Sequence, residues 1–179
     1  MYPLTSEIVQ SVNKKNININ LYASPSSDSK SIINSDNKYM LVKGNELVNS
    51  SKWISTRGSS VIVTSNGRLI KTTGLEYNFS LRNNFIFKNI ISSLNPYHYV
   101  TSDILFDNPS SGYLELNSRY SLANNDVKCE CIVLKEDFIV KSISWSGINY
   151  YWIDNDYKVI KTLQHIHPFS RPYELEYFD

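Results

Sequence analysis

The sequence predicts a single, mainly antiparallel β domain, a sandwich or a barrel with little helix. Three observations carry that prediction. Tyrosine is abundant at 13 of 179 residues, with seven Phe and only six Gly, and Tyr, Ile, Val and Thr suit a pleated, half-buried surface. About ten or eleven short extended segments recur at roughly regular spacing, the signature of a sandwich or barrel rather than of βαβ units. Asn66-Gly67 stands between two apolar runs, and both residues tolerate the positive φ that a type I′ hairpin turn requires.

The elements follow in chain order. Pro3 to Lys14 is the first helix candidate, about residues 3–14. Thr5 or Ser6 can cap it, and Leu4, Ile8 and Val12 share one helical face, which is expected to cover part of the sheet. Asn16 to Leu21 alternates polar and apolar at period two, a half-buried strand, and Ser24 to Ser29 is a loop. Lys38 to Lys43 reads as a strand that Gly44-Asn45 turns back into Glu46 to Ser50. Lys52 to Thr56 is extended, and Val61 to Thr64 and Leu69 to Thr72 form the hairpin about Asn66-Gly67. Leu81 to Leu94 carries Leu81, Phe85, Ile86, Phe87, Ile90, Ile91 and Leu94 mostly in one stripe, a short helix or irregular segment ending before Pro96. Tyr97 to Phe106, Tyr113 to Leu122, Val127 to Leu134 and Phe138 to Trp145 read as strands, with turns at Gly112, Asn124 to Asp126 and Glu136-Asp137. Ile148 to Ile153 and Tyr157 to His165 make a second hairpin about Asp154 to Asp156, and Tyr173 to Phe178 is a last strand. No repeat or linker divides residues 1–179, so one domain is expected.

Bulk properties exclude several functions. With 18 Lys and Arg against 17 Asp and Glu, the formal net charge is +1. That balance argues against nucleic acid, and against anionic lipid held by charge alone. No apolar run approaches the ~20 residues needed to span a bilayer. Met1 to Glu7 has neither the basic start nor the apolar stretch of a signal peptide, so the chain is expected to be cytoplasmic or to begin after a removed signal. Cys129 and Cys131 lie two apart. On a strand both would leave on one face without reaching each other, so they are expected to be free and packed.

No residue pattern encodes a catalytic or cofactor site. His165 and His167 would share a strand face, but a metal needs a further ligand, and His98 is the only other histidine. Asp103, Asp107, Asp154, Asp156, Glu174 and Glu176 could serve a glycan-modifying hydrolase only if two faced one another across a cleft. No nucleophile elbow and no phosphate-binding loop appears. The aromatics suggest binding instead. Trp53, Tyr151 and Trp152, with Arg68, are the candidate binding residues, as an aromatic surface for sugar rings or a partner protein. Against that stands burial. Alternation in Tyr150-Tyr151-Trp152-Ile153 sends Tyr150 and Trp152 one way and Tyr151 and Ile153 the other, and at least two of the three Trp are expected in the core, with Arg68 and Lys71 solvated beside the turn. A third alternative is a small-molecule or lipid carrier inside a barrel.

Two stretches resemble a known family. Trp53 precedes Thr64-Ser65-Asn66-Gly67-Arg68-Leu69-Ile70-Lys71-Thr72-Thr73-Gly74-Leu75. Near the end, Asn149-Tyr150-Tyr151-Trp152-Ile153-Asp154 leads into Val159-Ile160-Lys161-Thr162-Leu163-Gln164. In order and spacing these resemble the GfcB/YjbF (YmcC-like) family of group 4 capsule and exopolysaccharide lipoproteins. The resemblance implies a curved antiparallel sheet forming a barrel or half-barrel with one or two short helices. It implies a part in capsule or exopolysaccharide secretion, a pathway more than a mechanism; with no catalytic pattern in the residues, a non-enzymatic domain without cofactor or metal is expected. Its partners would be other export proteins of the outer membrane and periplasm, or the polysaccharide itself. The place would be the periplasmic face of the outer membrane, reached through an N-terminal lipid anchor. The present chain shows no lipobox cysteine near its start and is read as the mature part.

Overall fold

In the computed structural model, residues 16–19, 39–47, 50–55, 59–82, 87–108, 112–123 and 131–177 are described. Among them, twelve strands form one sheet in which each pairs antiparallel with the next in sequence. They are β1 (Asn16–Ile19), β2 (Tyr39–Leu47), β3 (Ser50–Ser55), β4 (Val61–Ser65), β5 (Arg68–Thr73), β6 (Phe79–Arg82), β7 (His98–Phe106), β8 (Leu114–Leu122), β9 (Ile132–Val140), β10 (Trp145–Ile153), β11 (Val159–Gln164) and β12 (Tyr173–Glu176). A short helix, α1 (Phe87–Ser92), interrupts the meander between β6 and β7. The sheet curls until β12 comes against β1 and β11 approaches β5 across the interior. The result is the curled half-barrel that the family resemblance implies.

Local chemistry fixes the two clearest hairpins. Asn66 and Gly67 both hold positive φ, 48° and 83°, as a turn matching the right-handed twist of β4 and β5 requires. A Cβ on Gly67 would also lie 2.6 Å from the Val159 Cβ, so β11 can approach the turn only because this residue has no side chain. Gly74 likewise has φ 79°, and a Cβ there would meet the Ser59 carbonyl oxygen. Both glycines of the first motif are therefore backbone requirements. In the second hairpin, Asp154 Oδ1 accepts from the amides of Asp156 (2.9 Å) and Lys158 (2.8 Å), while Tyr157 takes the left-handed conformation.

Several expectations are corrected. Glu136-Asp137 is no turn: both lie inside the nine-residue β9, and the chain reverses at a 3-10 turn over Lys141–Ile143, with Ser144 left-handed at φ 52°. Glu136 can stay in the strand because its charge is compensated inside the sheet. Gly44-Asn45 does not end a strand either; β2 runs through it with a register shift between Lys43 and Glu46. Leu81 belongs to β6 and is buried on the sheet, and among the described residues of this stretch the helix spans Phe87–Ser92. Cys131 is disulfide-bonded rather than free; it sits at a bend before β9, where the same-face restriction of a strand does not apply. The chain's other cysteine, Cys129, and the helix expected over residues 3–14 lie outside the described residues.

Two apolar clusters fill the curl. The larger includes Trp53, Ile62, Leu69, Phe79, Ile104, Phe106, Phe138 and Leu175. The smaller joins Tyr120, Leu134, Tyr151 and Ile153 to Phe87 and Ile90 of α1. The Phe87 ring lies 4.6 Å from that of Tyr151, so the helix closes this end of the core. Along β8 and β9 the clusters are separated by one inward residue each, Ser118 and Glu136.

Candidate functional site

At the seam between the clusters lies a buried polar network centred on Glu136. The carboxylate is fully buried on β9, and three further strands supply its surroundings. Arg68, the first residue of β5, places Nη1 2.6 Å from Glu136 Oε2. The same nitrogen donates to the hydroxyls of Tyr120 on β8 and Tyr151 on β10, the latter at 3.1 Å. Ser118 Oγ donates to Oε1 at 2.6 Å; Tyr151 Oη and Asn149 Nδ2 donate to Oε2 at 2.6 and 2.9 Å. Each inward side chain follows from strand alternation, since 118 and 120 on β8, 149 and 151 on β10, and 134, 136 and 138 on β9 face the same interior.

Gln164, the last residue of β11, ties this network to the hairpin. Its Oε1 accepts from the Leu69 amide at 2.9 Å, and its Nε2 donates to the Gly67 carbonyl at 3.0 Å and to Thr162 Oγ1 at 2.9 Å. The amide side chain thus bonds the β4–β5 turn as a neighbouring strand would. The two motif stretches, far apart in sequence, meet here: Gly67 and Arg68 come from the first, Asn149, Tyr151 and Gln164 from the second.

The electrostatics are those of a closed ion pair. Burial alone would raise the Glu136 carboxyl, but Arg68 and the hydroxyl and amide donors outweigh it and hold it below the usual carboxylate range. Burial would lower the Arg68 guanidinium, and Glu136 raises it above its ordinary value. Burial pushes the Tyr120 and Tyr151 phenols well up, so both stay protonated. A carboxylate held ionised by that many donors is a poor proton donor, and among the described residues its hydrogen-bond partners include Arg68, Ser118, Asn149 and Tyr151, none of them the second acid of a glycosidase pair. Beside the network is a cavity with room for about one water molecule, lined by Arg68, Asn149, Gln164, His165 and apolar side chains, with no carboxylate among the described lining residues. Packing that tight leaves little space for a carried ligand at this point.

The predicted binding residues do not form one surface. Arg68 and Tyr151 come together, but inside the network, so Arg68 is buried rather than solvated. Trp53 is buried in the larger cluster, with Nε1 donating to Thr64 Oγ1 at 2.8 Å and its ring 5.9 Å from Tyr177. Trp152 is on the outer face as alternation requires, half-buried, with Lys161 Nζ 5.4 Å from its ring. Trp145 packs partly buried on the larger cluster. Glu136, Tyr120 and Ser118 were missed. Asn149 and Gln164 stood in the quoted motifs without a role, and those motifs were the signal that could have found them.

The other candidates are engaged singly. His167 is buried and stacked 4.6 Å from Tyr77; its Nε2 lies 2.8 Å from the Asn108 carbonyl, and its Nδ1 accepts from the Phe169 amide. Its proton therefore sits on Nε2. His165 Nδ1 lies 3.3 Å from Asn149 Oδ1. Among the described residues no three His, Cys, Asp or Glu group as metal ligands. Lys161 bridges Glu174 (2.7 Å) and Glu176 (3.5 Å), and Asp154 serves its own turn.

The outer face of β7 to β10 is different. Register places Tyr99, Arg119, Asp137 and Ile148 in one row across four strands. Arg119 donates to Asp137 Oδ2 at 3.1 Å, and its guanidinium lies 4.9 Å from the Tyr97 ring. Tyr97 and Tyr99 are exposed, with ring centroids 6.5 Å apart.

A family model described as group 4 capsule polysaccharide lipoprotein gfcB, YjbF, matches residues 4–178. Among solved structures, the hypothetical lipoprotein YmcC from Escherichia coli (K12) is similar, with a TM-score of 0.70 and 23% identity over 82% of this chain and 80% of that one. That likeness establishes the fold. No curated protein matches the sequence.

Proposed function

The chain belongs to the YjbF family of group 4 capsule polysaccharide lipoproteins, and from that premise we propose that it is a non-catalytic envelope component of capsule or exopolysaccharide secretion. It works by binding, with the polymer or other export proteins as partners. Its place is the periplasmic face of the outer membrane, held by a lipid anchor. The observation that carries this reading is the family match over residues 4–178, nearly the whole chain. Two features of the structure support a binding role. The Arg68–Glu136 pair is enclosed and satisfied by its neighbours, so its chemistry serves the fold. The outer face of β7 to β10, in contrast, offers exposed aromatic rings beside hydrogen-bonding side chains.

Deletion of the gene in its native strain tests the role. The expected result is loss of polysaccharide at the cell surface, restored by the wild-type gene, with the protein recovered in the outer-membrane fraction. Unchanged surface polysaccharide in the deletion strain would refute it.

A further inference from the structure

We infer that the outer face of β7 and β8 is a glycan-binding surface, on which Tyr97 and Tyr99 stack against the pyranose rings of a polysaccharide chain. The inference rests on the secretion role proposed above and assigns it a site and a ligand class. Tyr99 is 70% exposed and Tyr97 44% exposed, although β7 has a buried face that could have taken large apolar side chains. A tyrosine gives a rigid, flat contact area with a polar rim, at the cost of ordering only two side-chain torsions. A pyranose ring is complementary: one face of C–H groups, edged by hydroxyls.

The neighbouring side chains are suited to those hydroxyls. Two residues further along the same strands, and so on the same face, Thr101 pairs with Asn117. Thr101 Oγ1 donates to Asn117 Oδ1 at 3.0 Å, and Asn117 Nδ2 donates to Glu115 Oε1 at 2.7 Å, all three at the surface. Arg119 stands between the rings and this ladder. It is held over Tyr97 and by Asp137, so its fork is pre-positioned.

Charge decides between occupants. Arg119 and Lys135 both pair with Asp137, at 3.1 and 2.8 Å, and Glu115 adds a further negative charge nearby. Cations compensated in this way make a poor landing site for anionic lipid, which needs an uncompensated basic cluster. A protein interface buries a contiguous apolar centre, whereas here Arg119 and Asp137 separate Tyr99 from the exposed Ile148, and Thr101 and Asn117 stand between the tyrosines and the exposed Ile139. A chain of sugar rings, recognised by stacking and hydrogen bonds, fits both features.

Affinity electrophoresis of the full chain tests this, in native gels cast with capsular polysaccharide extracted from the strain that carries the gene. Parallel co-sedimentation uses vesicles of phosphatidylethanolamine and phosphatidylglycerol. Wild-type protein should be retarded by the polymer and remain unbound to vesicles. Tyr97→Ala/Tyr99→Ala should bind the polymer about tenfold more weakly, from two lost ring contacts. Tyr99→Phe should keep most of the retardation, and Phe169→Ala, an exposed ring outside the patch, should keep all of it. Equal thermal melting of the variants separates lost binding from lost folding. Retardation undiminished in the double variant overturns this surface while polymer binding stands. No retardation of wild type, or tyrosine-dependent binding to vesicles instead, overturns the glycan assignment, and the deletion experiment then judges the secretion role separately.

Discussion

Replacing Glu136 by Gln keeps the shape of the side chain and removes its charge. Arg68 then loses the carboxylate held 2.6 Å from its Nη1 inside the core, where the neutral hydroxyls of Tyr120 and Tyr151 share that nitrogen. Breaking one side of a buried pair typically costs about 3–5 kcal/mol. At about 2–4 °C per kcal/mol for a domain of this size, the melting temperature should fall by roughly 6–20 °C. The pH dependence sharpens the test. Because the Glu136 carboxyl is held below its ordinary value in the folded state, its stabilisation is complete above the unfolded carboxylate pKa of about 4.3 and is lost as pH falls through the folded value. The variant should lack that acid-side contribution. Urea unfolding of wild type, Arg68→Met, Glu136→Gln and the double variant, from pH 7 down to pH 3, gives both quantities. The double variant should recover part of the single losses, so that the cycle yields a coupling above about 1 kcal/mol. A Glu136→Gln variant within about 0.5 kcal/mol of wild type, with an unchanged acid limb, would refute the reasoning.

Other consequences are as direct. Gly67→Ala forces a Cβ into a positive-φ position 2.6 Å from Val159, so a loss of about 1–3 kcal/mol is expected in urea unfolding. Burial lowers the His167 pKa, and its hydrogen bond to Asn108 offsets this only in part. The neutral ring therefore stabilises the fold fully above the unfolded value of about 6.5, and stability should decline as pH drops below it; His167→Gln should flatten the limb between pH 7 and pH 5.5 in thermal melts. Phe87→Ala removes the ring that α1 sets against Tyr151, and calorimetry should register about 3–5 kcal/mol. Trp53→Phe leaves Thr64 Oγ1 without the indole donor at 2.8 Å, a cost of about 1–3 kcal/mol in the same assay.

What the sequence made legible was local. Asn66-Gly67 announced its hairpin because the φ requirement belongs to those two residues alone. The alternation in Tyr150 to Ile153 was readable for the same reason: each strand residue points opposite to the last, and Tyr151 and Ile153 are indeed fully buried. Long-range compensation was not legible. Glu136-Asp137 looked like a turn because a carboxylate inside a strand is costly without a partner, and the partner, Arg68, is 68 positions away. The same pairing misplaced Arg68, which beside a turn reads as solvated. Leu81 was drawn into a helical stripe because short apolar runs fit both periods. The aromatic surface was sought in the residues of the quoted motifs. Three of its four members proved to be interior, and the exposed pair, Tyr97 and Tyr99, lies outside them.

The most direct test of the account is surface polysaccharide, measured in a deletion strain complemented with Tyr97→Ala/Tyr99→Ala at wild-type protein level. Polymer should fail to return to the cell surface although folded protein is present. Full restoration of surface polymer by this variant would contradict it.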